Sequence, residues 1–118
     1  MAVLKVGIAS QSDIRQRTID IAAGRYSPGK DEPKVWFPSL ESFAKILSDE
    51  NRAIISAIKK YHPESVSALA ELVGRAQPNV TRTLKTMASY GIVEVRKEGR
   101  KSIPVVKYDE FTLTVKAA

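Results

Sequence analysis

The stretch Val66 to Ile92, V-S-A-L-A-E-L-V-G-R-A-Q-P-N-V-T-R-T-L-K-T-M-A-S-Y-G-I, constrains this chain more than any other. It reads as two helices joined by a short turn. Ser65 or Ser67 can cap the first, because a hydroxyl oxygen there accepts from the unpaired N–H groups of the opening turn. Leu69, Ala70 and Val73 recur at helical spacing and so share one face. Gly74 follows them, where a helix commonly ends on a left-handed residue. The chain restarts at Gln77-Pro78, and proline is tolerated in a first turn because the N–H it lacks has no helical partner there. In the second helix Val80, Leu84 and Met87 form an apolar stripe. Asn79, Arg82, Lys85 and Thr86 form a cationic, hydrogen-bonding outer surface.

Ala70, Gly74 and Val80 keep the small–glycine–aliphatic spacing of a helix-turn-helix: the small residue lets the helices approach, the glycine turns the chain and the aliphatic pins the second helix. The continuation Tyr90-Gly-Ile-Val-Glu-Val-Arg-Lys-Glu-Gly-Arg-Lys resembles the wing of the bacterial and archaeal winged-helix regulators of the MarR/ArsR type. The segment S-D-E-N-R-A-I-I-S-A-I from Ser48 resembles the helix that packs behind the helix-turn-helix in those proteins. The resemblance runs from about Ser48 to Val106. It implies an α+β winged helix-turn-helix in a double-stranded DNA-binding transcriptional regulator, with helix 77–90 in the major groove and a basic wing, 92–107, on the backbone or minor groove. This sequence departs from the pattern twice. Ala76 stands where the second helix is often capped by Ser or Thr, and Arg75 replaces an apolar turn residue.

The charge distribution agrees with that implication. Between Arg75 and Lys107 there are eight basic residues (Arg75, Arg82, Lys85, Arg96, Lys97, Arg100, Lys101, Lys107) and two acidic ones (Glu94, Glu98), a net of +6. Of the 19 basic and 13 acidic residues in the chain, that leaves eleven of each elsewhere, a net of zero. A merely solvated surface intersperses the signs. Concentration on one segment favours a polyanionic partner.

Taken in order, residues 3–9 alternate with Leu4, Val6 and Ile8 on one side, a half-buried strand. Ser10 or Ser12 can cap a helix through Ala23, with Ile14, Thr18, Ile21 and Ala22 inward and Arg15, Arg17 and Asp20 outward. Residues 25–33 form a loop by their prolines, glycine and charges, and Lys34-Val-Trp-Phe a short strand before Pro38. Ser39 caps a short helix with Leu40, Phe43, Ala44 and Leu47 inward. Ser48 caps the next, in which Ile54, Ile55, Ile58 and Tyr61 form the apolar side and His62-Pro63 ends the helix. Glu98-Gly99 reads as a hairpin tip and Pro104 as the mark of an edge strand. Phe111, Leu113 and Val115 alternate with Thr112, Thr114 and Lys116 as a last strand.

A minimal winged helix needs neither residues 3–37 nor residues 110–116. Residues 1–38 are therefore read as a strand-helix extension that serves dimerisation or a protein partner, and residues 39–118 as the winged-helix domain with its C-terminal strand. The two terminal strands are expected to pair, within one subunit or between two, in a homodimer on a palindromic site. A rival reading rests on resemblance alone. Small winged-helix proteins with extra N-terminal elements resemble antitoxins, which neutralise a toxin encoded beside them and repress their shared operon; residues 1–38 would then hold the toxin.

For contact with base edges the candidates are Gln77, Asn79, Thr81 and Arg82, since arginine grips guanine and Asn or Gln grips adenine bidentately from a helix in the major groove. Lys85, Arg96, Lys97, Arg100 and Lys101 suit phosphate or the minor groove, and Arg75 and Thr86 complete the DNA-binding set. Other chemistry finds no foothold. The chain has no cysteine and one histidine, His62, so no metal or cofactor site is expected. There is no Gly-rich phosphate loop and no nucleophile with a positioned base, so an enzyme is not expected. No apolar run approaches the ~20 residues that span a bilayer and the N-terminus is unlike a signal peptide, so a cytoplasmic protein is expected.

Overall fold

A computed structural model describes residues 2–117. The chain is α+β. In order it runs β1 (Val3–Ile8), α1 (Gln11–Ala22), β2 (Val35–Phe37), α2 (Leu40–Ile46), α3 (Asp49–Tyr61), α4 (Val66–Val73), α5 (Gln77–Ser89), β3 (Glu94–Glu98), β4 (Lys101–Val105) and β5 (Glu110–Thr114). Helices α3 to α5 with the β3–β4 hairpin make a winged helix-turn-helix; β1, α1 and β2 are the N-terminal extension and β5 the C-terminal strand. The residues gather into two compact units. One holds those up to Lys45 together with those from Tyr108 onward, and the other is Ile46–Lys107.

In the first unit β1 lies at the centre of a three-stranded parallel sheet, with β2 on one side and β5 on the other. The terminal strands thus pair with each other within one chain, Leu4 opposite Phe111 and Val6 opposite Leu113. Leu4 and Val6 of β1 are buried, as its alternation requires, together with Phe37 of β2; Ile8, expected on the same side, is half-buried, and Gly7 on the other side is buried. Gly7 faces Trp36 across the β1–β2 register. A Cβ at Gly7 would fall 2.5 Å from Cζ3 of that indole, so only glycine lets the ring lie against the strand.

Helix α1 is capped by Ser10, whose Oγ accepts from the Asp13 N–H at 3.1 Å. Its orientation corrects the expectation from sequence. No residue of α1 is buried; Ile14, Arg17 and Asp20 are half-buried, whereas Thr18, Ile21 and Ala22 are exposed. The physical reason is Arg17. Its guanidinium lies 5.1 Å from the Tyr26 ring centre and 5.2 Å from that of Trp36, and Nη2 donates to Glu32 at 2.8 Å. Two aromatic faces and a carboxylate hold that side chain against the unit, and this turns Ile19 and Ile21 to solvent. In α2 the Phe43 ring meets Phe37 edge-on at 5.4 Å. Leu40 and Ala44, expected inward with Phe43, are exposed, so the packing of this short helix runs through the Phe43 ring.

The second unit follows its pattern closely. Ser48 caps α3, accepting from the Asn51 N–H at 3.2 Å, and Ser65 rather than Ser67 caps α4, accepting from Ala68 at 3.0 Å. Ile54, Ile55 and Ile58 of α3 are buried with Val66, Leu69 and Ala70 of α4 and Val80, Leu84 and Met87 of α5. Tyr61, expected on the apolar side, is 56% exposed; it occupies the last turn, just before His62 bends the chain at φ 47°. Gly74 turns α4 into α5 at φ 68°, donating to the carbonyls of Ala70 and Glu71. Ile92 and Val93 bring the chain back into the core, and β3 and β4 then pair in antiparallel fashion with Glu98 opposite Lys101. The hairpin tip is therefore Gly99-Arg100, one residue later than the sequence suggested. Pro104 sits opposite Val95 in this two-stranded sheet, where each strand is an edge and the N–H that proline lacks leaves no gap inside a ladder.

Candidate nucleic-acid interface

Helix α5 buries one stripe and leaves the rest of its surface open. Val80, Leu84 and Met87 are almost fully buried, and their 3.6-residue period fixes which other positions face out. The positions outside the stripe divide into two flanks. Gln77, Thr81 and Lys85, spaced by four, line a cleft of about 820 Å³ between α5 and the hairpin, whose far wall is built from Val95, Lys97, Arg100 and Lys101. Asn79, Arg82 and Thr86 lie on the other flank, in a shallower depression they share with Arg75.

In the cleft, Lys85, Lys97 and Arg100 make no salt bridge among the described residues. Lys101 lies 3.7 Å from Glu64 Oε2, and both are largely exposed. Gln77 is tied to the start of α4, since the Ser67 hydroxyl donates to its Oε1 at 3.0 Å. Thr81 is half-buried. On the other flank Arg82 Nη2 donates to Asn79 Oδ1, and the Thr86 hydroxyl donates to the Arg82 carbonyl at 3.1 Å. Arg75 is folded back onto α5: Nη2 donates to Thr83 Oγ1 at 3.4 Å, and Nη1 is buried without a hydrogen-bond partner. Arg96 is drawn to Glu94 at 3.7 Å, and Lys107 to the same carboxylate at 3.1 Å. Pairs this exposed are worth little and compete weakly with a polyanion.

Of the eleven residues singled out from sequence, six thus stand around the cleft, four on the opposite flank, and Arg96 beside neither. Periodicity could not separate the flanks in advance, because it says which residues point outward and not where a hairpin will lie. Two residues escaped the reading. Ser67 appeared only as a helix cap, and Glu64 not at all; each precedes or opens α4, whose first turn forms the third wall of the cleft. Among the described residues no group of three or more His, Asp or Glu side chains is placed to hold a metal ion, and no helix is long and apolar enough to cross a membrane.

The start of α5 carries an open cap. Ala76 has the extended geometry of an N-cap, φ −62° and ψ 136°, with no side chain to accept from the first turn. Ala76→Ser is expected to raise the free energy of unfolding by about 1 kcal/mol, read as a rise in the thermal midpoint. An unchanged midpoint would mean that the turn gains nothing from a hydroxyl.

A family model described as HVO_A0114 matches residues 46–113. No curated protein matches the chain. Among solved structures, one titled as the predicted DNA-binding transcriptional regulator from E. coli is 14% identical, with a TM-score of 0.47, covering 85% of this chain and 86% of its own. A likeness that loose fixes neither fold nor function.

Proposed function

The chain belongs to the HVO_A0114 family, and we propose that it is a sequence-specific regulator of transcription that binds double-stranded DNA in the cytoplasm. In this reading α5 enters the major groove and the β3–β4 wing lies along the backbone or in the minor groove. The observation that carries it is the set of Lys85, Lys97 and Arg100 around one cleft, exposed and without carboxylate partners among the described residues. Holding such charges together costs electrostatic repulsion, which a row of phosphates offsets with release of the counterions condensed on DNA. The helix that borders the cleft offers side-chain hydrogen bonds and has the bore of a major groove. Selection of duplexes from a random pool by the purified protein, at stated salt, tests the reading. Enrichment of one motif supports it, and a pool left unenriched at ~50 mM salt would end it.

The first unit favours a protein partner beside the DNA. Ile19 is 46% exposed and Ile21 39% in the last turn of α1, and Tyr26 in the loop that follows is 38% exposed; large apolar side chains left open to solvent can mark a contact surface. A second copy of this chain would place two α5 helices in successive major grooves ~34 Å apart on a palindrome. An antitoxin role, in which the same surface holds a toxin, is the alternative. Removal of residues 1–37 would strip β5 of its neighbour, so the full chain is the fair subject. Sedimentation as a dimer that Ile19→Glu with Ile21→Glu dissociates supports the first, and a monomer at all concentrations excludes it.

A further inference from the structure

We infer that Asn79 positions Arg82, and that Arg82 thereby reads a guanine while Asn79 reads no base. The inference rests on the DNA-binding proposal and specifies what its helix selects. Asn79 and Arg82 lie three positions apart on the same outer flank of α5, and Arg82 Nη2 donates to Asn79 Oδ1. The identity of that asparagine atom is not open to exchange. A guanidinium has only N–H donors, so the amide atom facing it must be the carbonyl oxygen.

Two consequences follow for the bases. Asparagine grips adenine by accepting from the N6 amino group through Oδ1 while Nδ2 donates to N7. With one lone pair of Oδ1 held by Arg82, the orientation of the Asn79 amide is set by the arginine and not by an adenine edge. Guanine instead presents two acceptors, O6 and N7, in the major groove, and a guanidinium meets both with parallel N–H donors. Arg82 makes no salt bridge among the described residues, so its other N–H groups are available. It is also tethered in advance by Asn79, which lowers the cost of ordering a long side chain at a base edge. The Thr86 hydroxyl already donates to the Arg82 carbonyl at 3.1 Å and so has no donor left for a guanine edge. Arg75 is turned inward to Thr83. The free donors that face outward on this flank are those of Arg82 and Asn79 Nδ2, and guanine is the base whose major-groove edge sets two acceptors side by side for a guanidinium.

The test uses the full chain and the duplex motif it enriches from a random pool, with each position then substituted singly. At one guanine, wild-type protein should prefer G to A by about 5- to 150-fold, the discrimination typical of one bidentate pair. Arg82→Ala should bring that ratio to about one and leave the ratios at other positions intact. Asn79→Ala should lower the same ratio several-fold. Asn79→Asp, which keeps the acceptor, should restore it even though its added charge weakens binding to every duplex. Both positions are exposed on the helix surface, and circular dichroism confirms that each of the three variants is folded. Loss of an adenine preference in Asn79→Ala would overturn the inference, as would an unchanged guanine ratio in that variant. So would a uniform loss across sequences in Arg82→Ala. Failure of the wild type to enrich any duplex is a different outcome: it removes the regulator reading, and this inference with it.

Discussion

Leu84→Ala is expected to cost about 2–5 kcal/mol of folding stability, the range for emptying a well-packed leucine site. Leu84 is 1% exposed and stands in the middle of the α5 stripe, with Val80 and Met87 at 0% on either side. A truncated side chain at the centre of such a row leaves a cavity that neighbours held on α3 and α4 cannot collapse to fill. Against a total stability of about 5–15 kcal/mol for a native domain, that is a large fraction. The thermal midpoint should fall by roughly 10 °C or more, and DNA binding, where it occurs, should fail at a temperature set by unfolding rather than by contact. Arg82→Ala, two residues away on the outer surface, should leave the midpoint within the ~0.5 kcal/mol usual for surface changes. Calorimetry on the two variants separates packing from recognition on a single helix. A Leu84→Ala protein that melts with the wild type would mean that α5 is not anchored through this stripe.

How much of this was legible in the sequence depends on how local each signal is. The helix-turn-helix was readable because everything that specifies it lies within a few residues: Ser65 as cap, Gly74 with its positive φ, and apolar side chains at three- and four-residue steps. The orientation of α1 was not readable. Ile14, Thr18 and Ile21 make a plausible apolar stripe, yet Arg17 faces inward because Tyr26, Glu32 and Trp36 surround its guanidinium. Those three residues belong to a loop and a strand whose approach no periodicity in α1 announces. The same holds for the pairing of β1 with β5. Both strands alternate, but alternation names no partner, and the two are separated by nearly the whole chain. At the candidate interface the charges were visible as a cluster in sequence. Which cations would be neutralised was not, since the Glu64–Lys101 and Glu94–Lys107 pairs join different elements.

That distinction between paired and unpaired cations yields the second large effect. Replacing Lys85, Lys97 and Arg100 together with glutamine should flatten the dependence of log binding constant on log salt by about 2.7, since each phosphate neutralised on duplex DNA contributes about 0.9. If the variant and the wild type converge near 1 M salt, the same slope difference makes the variant about 500-fold weaker at ~0.1 M. The three residues share one cleft beside α5, so the loss should be collective and should leave the ranking of sequences unchanged, because phosphates carry no code. A control with Arg15, Lys30 and Lys116 changed to glutamine removes the same charge from exposed positions outside the window. Its slope should match the wild type. Equal flattening in both triple variants would show that the overall charge of +6, and not its placement around the cleft, draws the protein to DNA. A changed ranking of sequences in the cleft variant would instead make at least one of its three cations a reader of bases.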